Sequence, residues 1–335
     1  MYRKLTILGI GLLSLAVANS PAIASGDHDG DHHEGGVALF LADQVARPDA
    51  ASYRINSFDT DRAVDALMGL PVTAGMESSK EVKQVAPAAA PVCVWFCHPS
   101  FYAEYDYINS HDKRALGADS ETNSAVVGFD FLTIYDILLG FTYSYSNRDA
   151  DVSPIGLPDN ENSHFFSLYT AKTFGQWLNI GVSGGYGYTS TETVGADSGN
   201  EDTWSLSPFI GVAHTWGAFS GSLTASSVHT WTSTHDTPAG VGNADDATGK
   251  VGVAFKLGWA ATERLKLQVT AKYTGMAYYE TVTPALPESR DWATFGGKAT
   301  FRVAQHCDVY LGYAYDAFNS SYSNHNVQAG FICSW

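Results

Sequence analysis

A period-two alternation runs through most of this chain and limits its fold more than any other feature. Twelve segments set apolar and aromatic residues on one face and small or polar residues on the other. They are 101–109, 124–133, 136–147, 164–174, 178–190, 203–216, 219–232, 248–260, 265–280, 291–303, 308–317 and 323–335. In 136–147, Ile137, Leu139, Phe141, Tyr143 and Tyr145 oppose Gly140, Thr142 and Ser144. In 248–260, Val251, Val253, Phe255, Leu257 and Trp259 oppose Gly252, Lys256 and Gly258. Successive side chains of a strand point to opposite faces. Each segment therefore reads as a strand with one apolar and one polar side. Each is also long enough for a tilted membrane strand, which needs about 9–11 residues. A wall with hydrocarbon outside and water inside calls for this pattern.

The connections alternate in length. Short ones lie near 134–135, 175–177, 217–218, 261–264 and 304–307. Longer, more polar ones lie at 110–123, 148–163, 191–202, 233–247, 281–290 and, more briefly, 318–322. Outer-membrane barrels put short turns on the periplasmic side and longer loops outside, and an even strand number returns both ends to the periplasm. Trp177, Trp216, Phe219, Trp259, Phe301 and Trp335 gather at the short-turn ends. Tyr107, Tyr145, Tyr188, Trp204, Trp231, Tyr279 and Trp292 gather at the long-loop ends. Two such belts are what amphipathic rings form at two membrane interfaces. The expected fold is all-β: a twelve-stranded antiparallel transmembrane β-barrel over 99–335, with a short, largely irregular N-terminal segment.

That segment has its own composition. Arg3 and Lys4, an apolar core from Leu5 to Ala18 and Ala22-Ile23-Ala24 read as a signal peptide over 1–24. Residues 25–98 then form an expected periplasmic or threaded segment. They hold an acidic, His-rich start, two short mixed stretches (Val37–Val45 and Arg62–Leu70) and a Pro/Ala linker from Val85 to Pro91. Such a linker favours extended structure. No long helix to plug a pore is evident before the first strand. The formal charge of -16 argues against nucleic acid as a partner.

The last eleven residues read H-N-V-Q-A-G-F-I-C-S-W. Val327, Ala329, Phe331, Cys333 and Trp335 share one face, and Asn326, Gln328, Gly330 and Ser334 the other. This ending resembles the C-terminal targeting strand of bacterial outer-membrane barrels, with Phe331 and Trp335 as the expected assembly signal. Residues 101–335 also resemble the autotransporter β-domain family. The residues that carry this are V-V-G-F-D-F (126–131), I-L-L-G-F-T-Y-S-Y-S (137–146), S-L-Y (167–169), G-V-S-G-G-Y-G-Y (181–188) and the final F-I-C-S-W. The resemblance implies a translocator barrel in the outer membrane of a Gram-negative bacterium. Such a barrel exports an N-terminal passenger, has outer-membrane lipid and the barrel assembly machinery as partners, and uses no cofactor. Residues 25–98 depart from the family pattern, since they lack long β-helical repeats. The expected function is translocation or display of this short segment. One alternative is a narrow passive porin for small solutes. Another is a structural or adhesive surface protein acting through acidic loops.

Charged residues on the polar strand faces form the first candidate site. Glu104, Asp106, Asp130, Lys256, Lys266, Lys272, Lys298, Arg302, Asp308 and Asp316 all fall at inward positions. Their mixed signs suggest pairs across a lumen, or a pore that selects by charge. His28, His32 and His33, set among carboxylates, can hold a transition metal weakly; a solvated acidic tail is the plainer reading. Cys307 and Cys333 fall at the same height on expected neighbouring strands, which permits a disulfide; Cys333 as a small lipid-facing residue is equally in keeping with the pattern. Cys93 and Cys97 can close a small loop of their own. His229 with Ser226 or Ser227, and His214 with neighbouring Ser residues, are pairs that a Ser-rich strand produces by chance. With no nucleophile motif beside them, an enzyme is not expected.

Overall fold

The computed structural model describes residues 51–67, 96–113, 118–152, 157–175, 177–193, 199–235, 245–280, 291–319 and 322–335. These contain a helix, α1 (Ala51–Leu67), and twelve strands. The strands are β1 (Phe96–Asp112), β2 (Ala118–Thr133), β3 (Ile137–Val152), β4 (Leu157–Phe174), β5 (Leu178–Thr193), β6 (Gly199–Trp216), β7 (Phe219–His235), β8 (Asp245–Ala260), β9 (Leu265–Glu280), β10 (Asp291–Ala304), β11 (Cys307–Ala317) and β12 (Tyr322–Ser334). Each strand runs antiparallel to its sequence neighbours, and β12 pairs with β1 from Ser334 opposite Ser100 to Tyr322 opposite Asp112. The sheet therefore closes on itself and leaves no edge.

The alternation sorts the two faces of the wall. Leu139, Phe141 and Tyr145 of β3 are exposed on the convex side, while Thr142, Ser144 and Ser146 are buried on the concave side. On β12, Val327 and Phe331 point outward, and Trp335 just after it is exposed. At the short turns the strand ends agree with the alternation to within a few residues. At the other end the strands run further than expected: β2 starts at Ala118, β4 at Leu157 and β6 at Gly199. Those extensions (D-S-E-T-N in β2) are polar on both faces. The ladder hydrogen bonds continue there, but where both faces are polar the sequence shows no alternation.

Two aromatics expected in the long-loop belt turn inward instead. Trp292 is buried against Val228, with Lys250 Nζ 5.7 Å from its ring centroid. Tyr279 lies opposite Thr248, itself buried, because the β8–β9 register shifts between Gly249 and Lys250. A one-residue bulge moves every later side chain to the other face.

Glycine takes a packing role where inward rings cross the wall. The Tyr169 ring lies over Gly140, and a Cβ there would fall 2.0 Å from the ring. In the turn between β6 and β7, Gly217 has φ 61°, which a residue with a Cβ adopts only with strain.

Candidate functional site

The barrel lumen holds α1, the largest departure from expectation. A 17-residue helix occupies 51–67, where the sequence suggested only a mixed stretch from Arg62. Its local cause is plain. No Gly or Pro occurs between Pro48 and Gly69, and both residues punctuate helices. It shows no single apolar stripe because it is enclosed by walls of different character, and residues four apart on a helix share a face.

Three stripes result. Arg54, Phe58 and Arg62 face β1 and β2. Arg54 donates to Ser124 and, at 2.9 Å, to Asp106 Oδ2. Arg62 Nη2 donates to Asp130 Oδ1 at 3.1 Å, and its Nε lies 2.7 Å from Oδ2. Its guanidinium also stands 5.1 Å from the centroid of the Tyr102 ring. Ser57, Asp61 and Asp65 face β8, β9 and β10. Lys256 Nζ is 2.9 Å from Asp61 and 3.4 Å from Asp65, Lys298 is 3.7 Å from Asp65, and Lys272 donates to Ser57 at 2.8 Å. The third stripe faces β3 to β6. Asn56 accepts from Ser183 at 3.1 Å, and Asp59 accepts from Thr142 at 2.7 Å and Ser167 at 2.6 Å. Below them Ala63 and Val64 pack with Leu138, Tyr169, Ala171 and Phe209, and Leu67 and Leu132 flank that cluster. Leu138 and Phe209, apolar residues on the polar side of their strands, thus find their partners on the helix.

The helix is outside the membrane-spanning strands, and two of its carboxyls differ sharply. Burial pushes Asp59 up to about 7, with only the Thr142 and Ser167 hydroxyls to oppose it. Burial also pushes Asp65 upward, but the ammonium groups of Lys256 and Lys298 outweigh it and hold that carboxyl at about 2.

The ten charged residues picked from the strands all lie on the concave face. Glu104, Asp106, Asp130, Lys256, Asp308 and Asp316 are buried there, and Lys266, Lys272, Lys298 and Arg302 alternate with outward residues such as Leu267, Tyr273 and Phe301. They were expected to pair with one another. Only part of that holds: Arg302 lies 3.6 Å from Asp308, while Asp106, Asp130, Lys256 and Lys298 meet α1. The missed partners had a signal in the sequence, two stripes of opposite sign at multiples of four residues: Arg54 and Arg62, eight apart, then Asp61 and Asp65, four apart. Because α1 leans on β3 to β6, a cavity of about 270 Å³ remains beside it, lined in part by Gln268, Lys272, Lys298, Asp316, Asn324 and Gln328.

Other candidates fare differently. Cys307 and Cys333 face each other in the β11–β12 ladder and are joined by a disulfide. His229 Nε2 is 3.1 Å from Ser227 Oγ on the convex face, and Nδ1 is 3.1 Å from the Tyr278 hydroxyl. The orienting group is thus a phenol and not a carboxylate, and Ser227 is buried. Ser226, which pairs with the inward Phe209, lies on the opposite face, and His214 stacks on Trp216. His28, His32, His33 and Cys93 lie outside the described residues, and the Cys97 side chain is likewise not described. Among the described residues no group of three or more His, Cys, Asp or Glu side chains is placed to hold a metal ion.

No family model matches this chain, and no curated protein matches it. Solved structures do. The translocator domain of the autotransporter NalP from Neisseria meningitidis superposes with a TM-score of 0.64, covering 89% of this chain and 99% of that one at 12% identity. The β domain of the Bordetella autotransporter BrkA gives 0.56, covering 71% and 100% at 14% identity. The COG4313 outer membrane channel from Pseudomonas putida F1 gives 0.54, covering 76% and 100% at 10% identity. The closed twelve-stranded wall places this chain in the fold of the autotransporter translocator barrels.

Proposed function

We propose that this chain is an outer-membrane barrel of autotransporter type that carries its own N-terminal segment through the lumen and displays it outside. The direction of α1 carries this reading. Its first turn meets Asp106 and Ser124, on the long-connection half of β1 and β2. Its last residue packs by Leu132 and Leu138, on either side of a short turn. The helix thus runs from the long-loop end to the short-turn end, and the chain that follows enters β1 at the short-turn end. With short turns in the periplasm, the residues before Ala51 are directed to the cell exterior. The lumen's work is then to hold and pass a polypeptide. No catalytic step belongs to it, and an imidazole on the convex face takes no part.

A protease site inserted after Gly36 tests this. Cleavage by added protease on intact cells is the expected result. Cleavage only after the outer membrane is permeabilised would reverse the assignment and leave the segment in the periplasm.

The cavity beside α1 favours a second role, slow passage of small polar solutes, in line with the fold shared with an outer membrane channel. Planar-bilayer recordings decide it: a steady small conductance with α1 in place supports this role, and a silent bilayer rejects it.

A further inference from the structure

Where the wall faces α1 across the cavity, three inward positions are small: Gly296 of β10, and Gly312 and Ala314 of β11. They form a recessed floor, and the strand register gives its rim. Gln268 of β9 lies opposite Lys298 of β10, Lys298 opposite Gly312, Gly312 opposite Gln328 of β12, and Gln328 opposite Asp106 of β1. The two glutamines thus stand three strand spacings apart, roughly 14 Å along the wall, with the floor between them. One row nearer the long loops, Asn326 lies opposite Ala314. Its Oδ1 is buried with no hydrogen-bond partner among the described residues. Gln268, Asn326 and Gln328 all line the cavity.

The charged groups around this space are already matched. Asp106 meets Arg54 at 2.9 Å, and Glu104 accepts from the Tyr310 hydroxyl at 2.6 Å. Lys298 lies 3.7 Å from Asp65 and 5.1 Å from the centroid of the Tyr310 ring. Lys272 donates to Ser57, and Asp316 accepts from Thr294 and Asn324. A charged solute would gain little from such groups and would lose its water. What the space offers instead is amides, each with donors and an acceptor. Beside them are the rings of Phe58 and Tyr102, whose centroids are 5.5 Å apart. A matching molecule carries hydroxyls around its edge, each both donor and acceptor, and an apolar face of C–H groups. A sugar ring has both. Sites for drug-sized ligands run from about 300 Å³ upward, so a cavity of about 270 Å³ suits one ring and not a chain of them.

We propose that the space opposite α1 binds one ring of a neutral saccharide. Gln268 and Gln328 hold hydroxyls at its two edges, and Asn326 accepts from a third after a turn of its amide toward the cavity. The proposal rests on the second role given above, passage of small polar solutes, and names the solute.

The experiment uses the full chain, folded in an amine-oxide detergent that carries no sugar headgroup. Saturation-transfer NMR reads the binding of D-glucose, with sodium gluconate as the charged probe and glycine as the zwitterionic one. Transfer to glucose, with none to the other two, is the expected result. Gln268→Leu and Gln328→Leu keep the size of the side chain and remove the amide; each should weaken glucose binding about tenfold. Gly312→Val puts a side chain into the floor, where a Cβ already falls 3.2 Å from Gln328 Oε1, and should abolish binding. Heat-modifiable migration checks that each variant is folded, and the two glutamine variants decide the matter if Gly312→Val is not. Gluconate or glycine binding as well as glucose overturns the choice of ligand. Equal glucose binding by the native chain and both glutamine variants overturns the site. A steady bilayer conductance without glucose binding sinks the saccharide and leaves passage standing, whereas glucose binding with a silent bilayer supports the site and rejects passage.

Discussion

Arg62 of the lumen helix and Asp130 of β2 meet through two contacts, 3.1 Å from Nη2 to Oδ1 and 2.7 Å from Nε to Oδ2, with both side chains almost fully out of solvent. The Tyr169 hydroxyl donates to the second oxygen at 2.7 Å. The pair joins the helix to the wall and shields its charges from water.

Removing one member leaves a buried charge without compensation, which costs about 3–5 kcal/mol. Asp130→Ala should therefore loosen α1 and raise bilayer conductance, while the barrel still migrates as a folded species. Exchange of the two charges should recover part of the loss. Unchanged conductance in Asp130→Ala would mean that the pair does not hold the helix.

The two faces of the wall should tolerate charge differently. Leu139 and Val253 are 37% and 46% exposed on the convex face, whereas Lys256 is 7% exposed toward Asp61 and Asp65. An arginine facing lipid at mid-depth costs about 2–4 kcal/mol. Leu139→Arg and Val253→Arg should lower the yield of folded barrel on heat-modifiability gels. Lys256→Ala should spare the barrel and affect only the helix. Equal yields for all three would contradict the assigned faces.

Helix docking should depend on pH through Asp59. Its carboxyl titrates at about 7 when docked, above the ordinary range near 4. The docked form thus holds its proton more tightly than the free form. Docking strengthens as pH falls from about 7 toward 4, by at most about tenfold per unit, and is weakest above 7. Asp65, held at about 2, leaves that window undisturbed. Channel opening should accordingly become rarer between pH 7 and pH 5, and Asp59→Asn should abolish the trend. A native pH profile in the Asp59→Asn protein would rule out this carboxyl as its source.

The Cys307–Cys333 disulfide spans 26 residues and joins the open ends of the β11–β12 pair. A cross-link over such a loop is worth about 3 kcal/mol in the chain-entropy account. Serine at both positions should leave assembly intact and speed unfolding in hot detergent. Peptide mapping that finds both thiols free in native protein would remove the basis for this prediction.

Barrel architecture was legible because it depends on a local rule. Strands whose faces meet hydrocarbon and water must alternate, so Leu139 and Gly140 declare their sides without knowledge of any neighbour. Length alternation among the connections then sets strand direction, and strand neighbours put Cys307 and Cys333 at one height without deciding between a bridge and a lipid-facing thiol. The rule fails where its cause fails. Beyond the belt, as in Ala118–Asn123, both faces are polar and the strand ends were missed. At the β8–β9 bulge one extra residue reversed the side of Tyr279.

By itself, then, the sequence determined the wall, its strand count, its inward charges and its final aromatic strand. The tertiary structure decided what those charges are for. Arg62 and Asp130 are 68 residues apart, and Asp61 reaches Lys256 only because the closed ring brings β8 across from β2. A helix inside a lumen has no single apolar face to announce it. Its pattern is the complement of several strands at once, and that complement exists only after the barrel has closed around it.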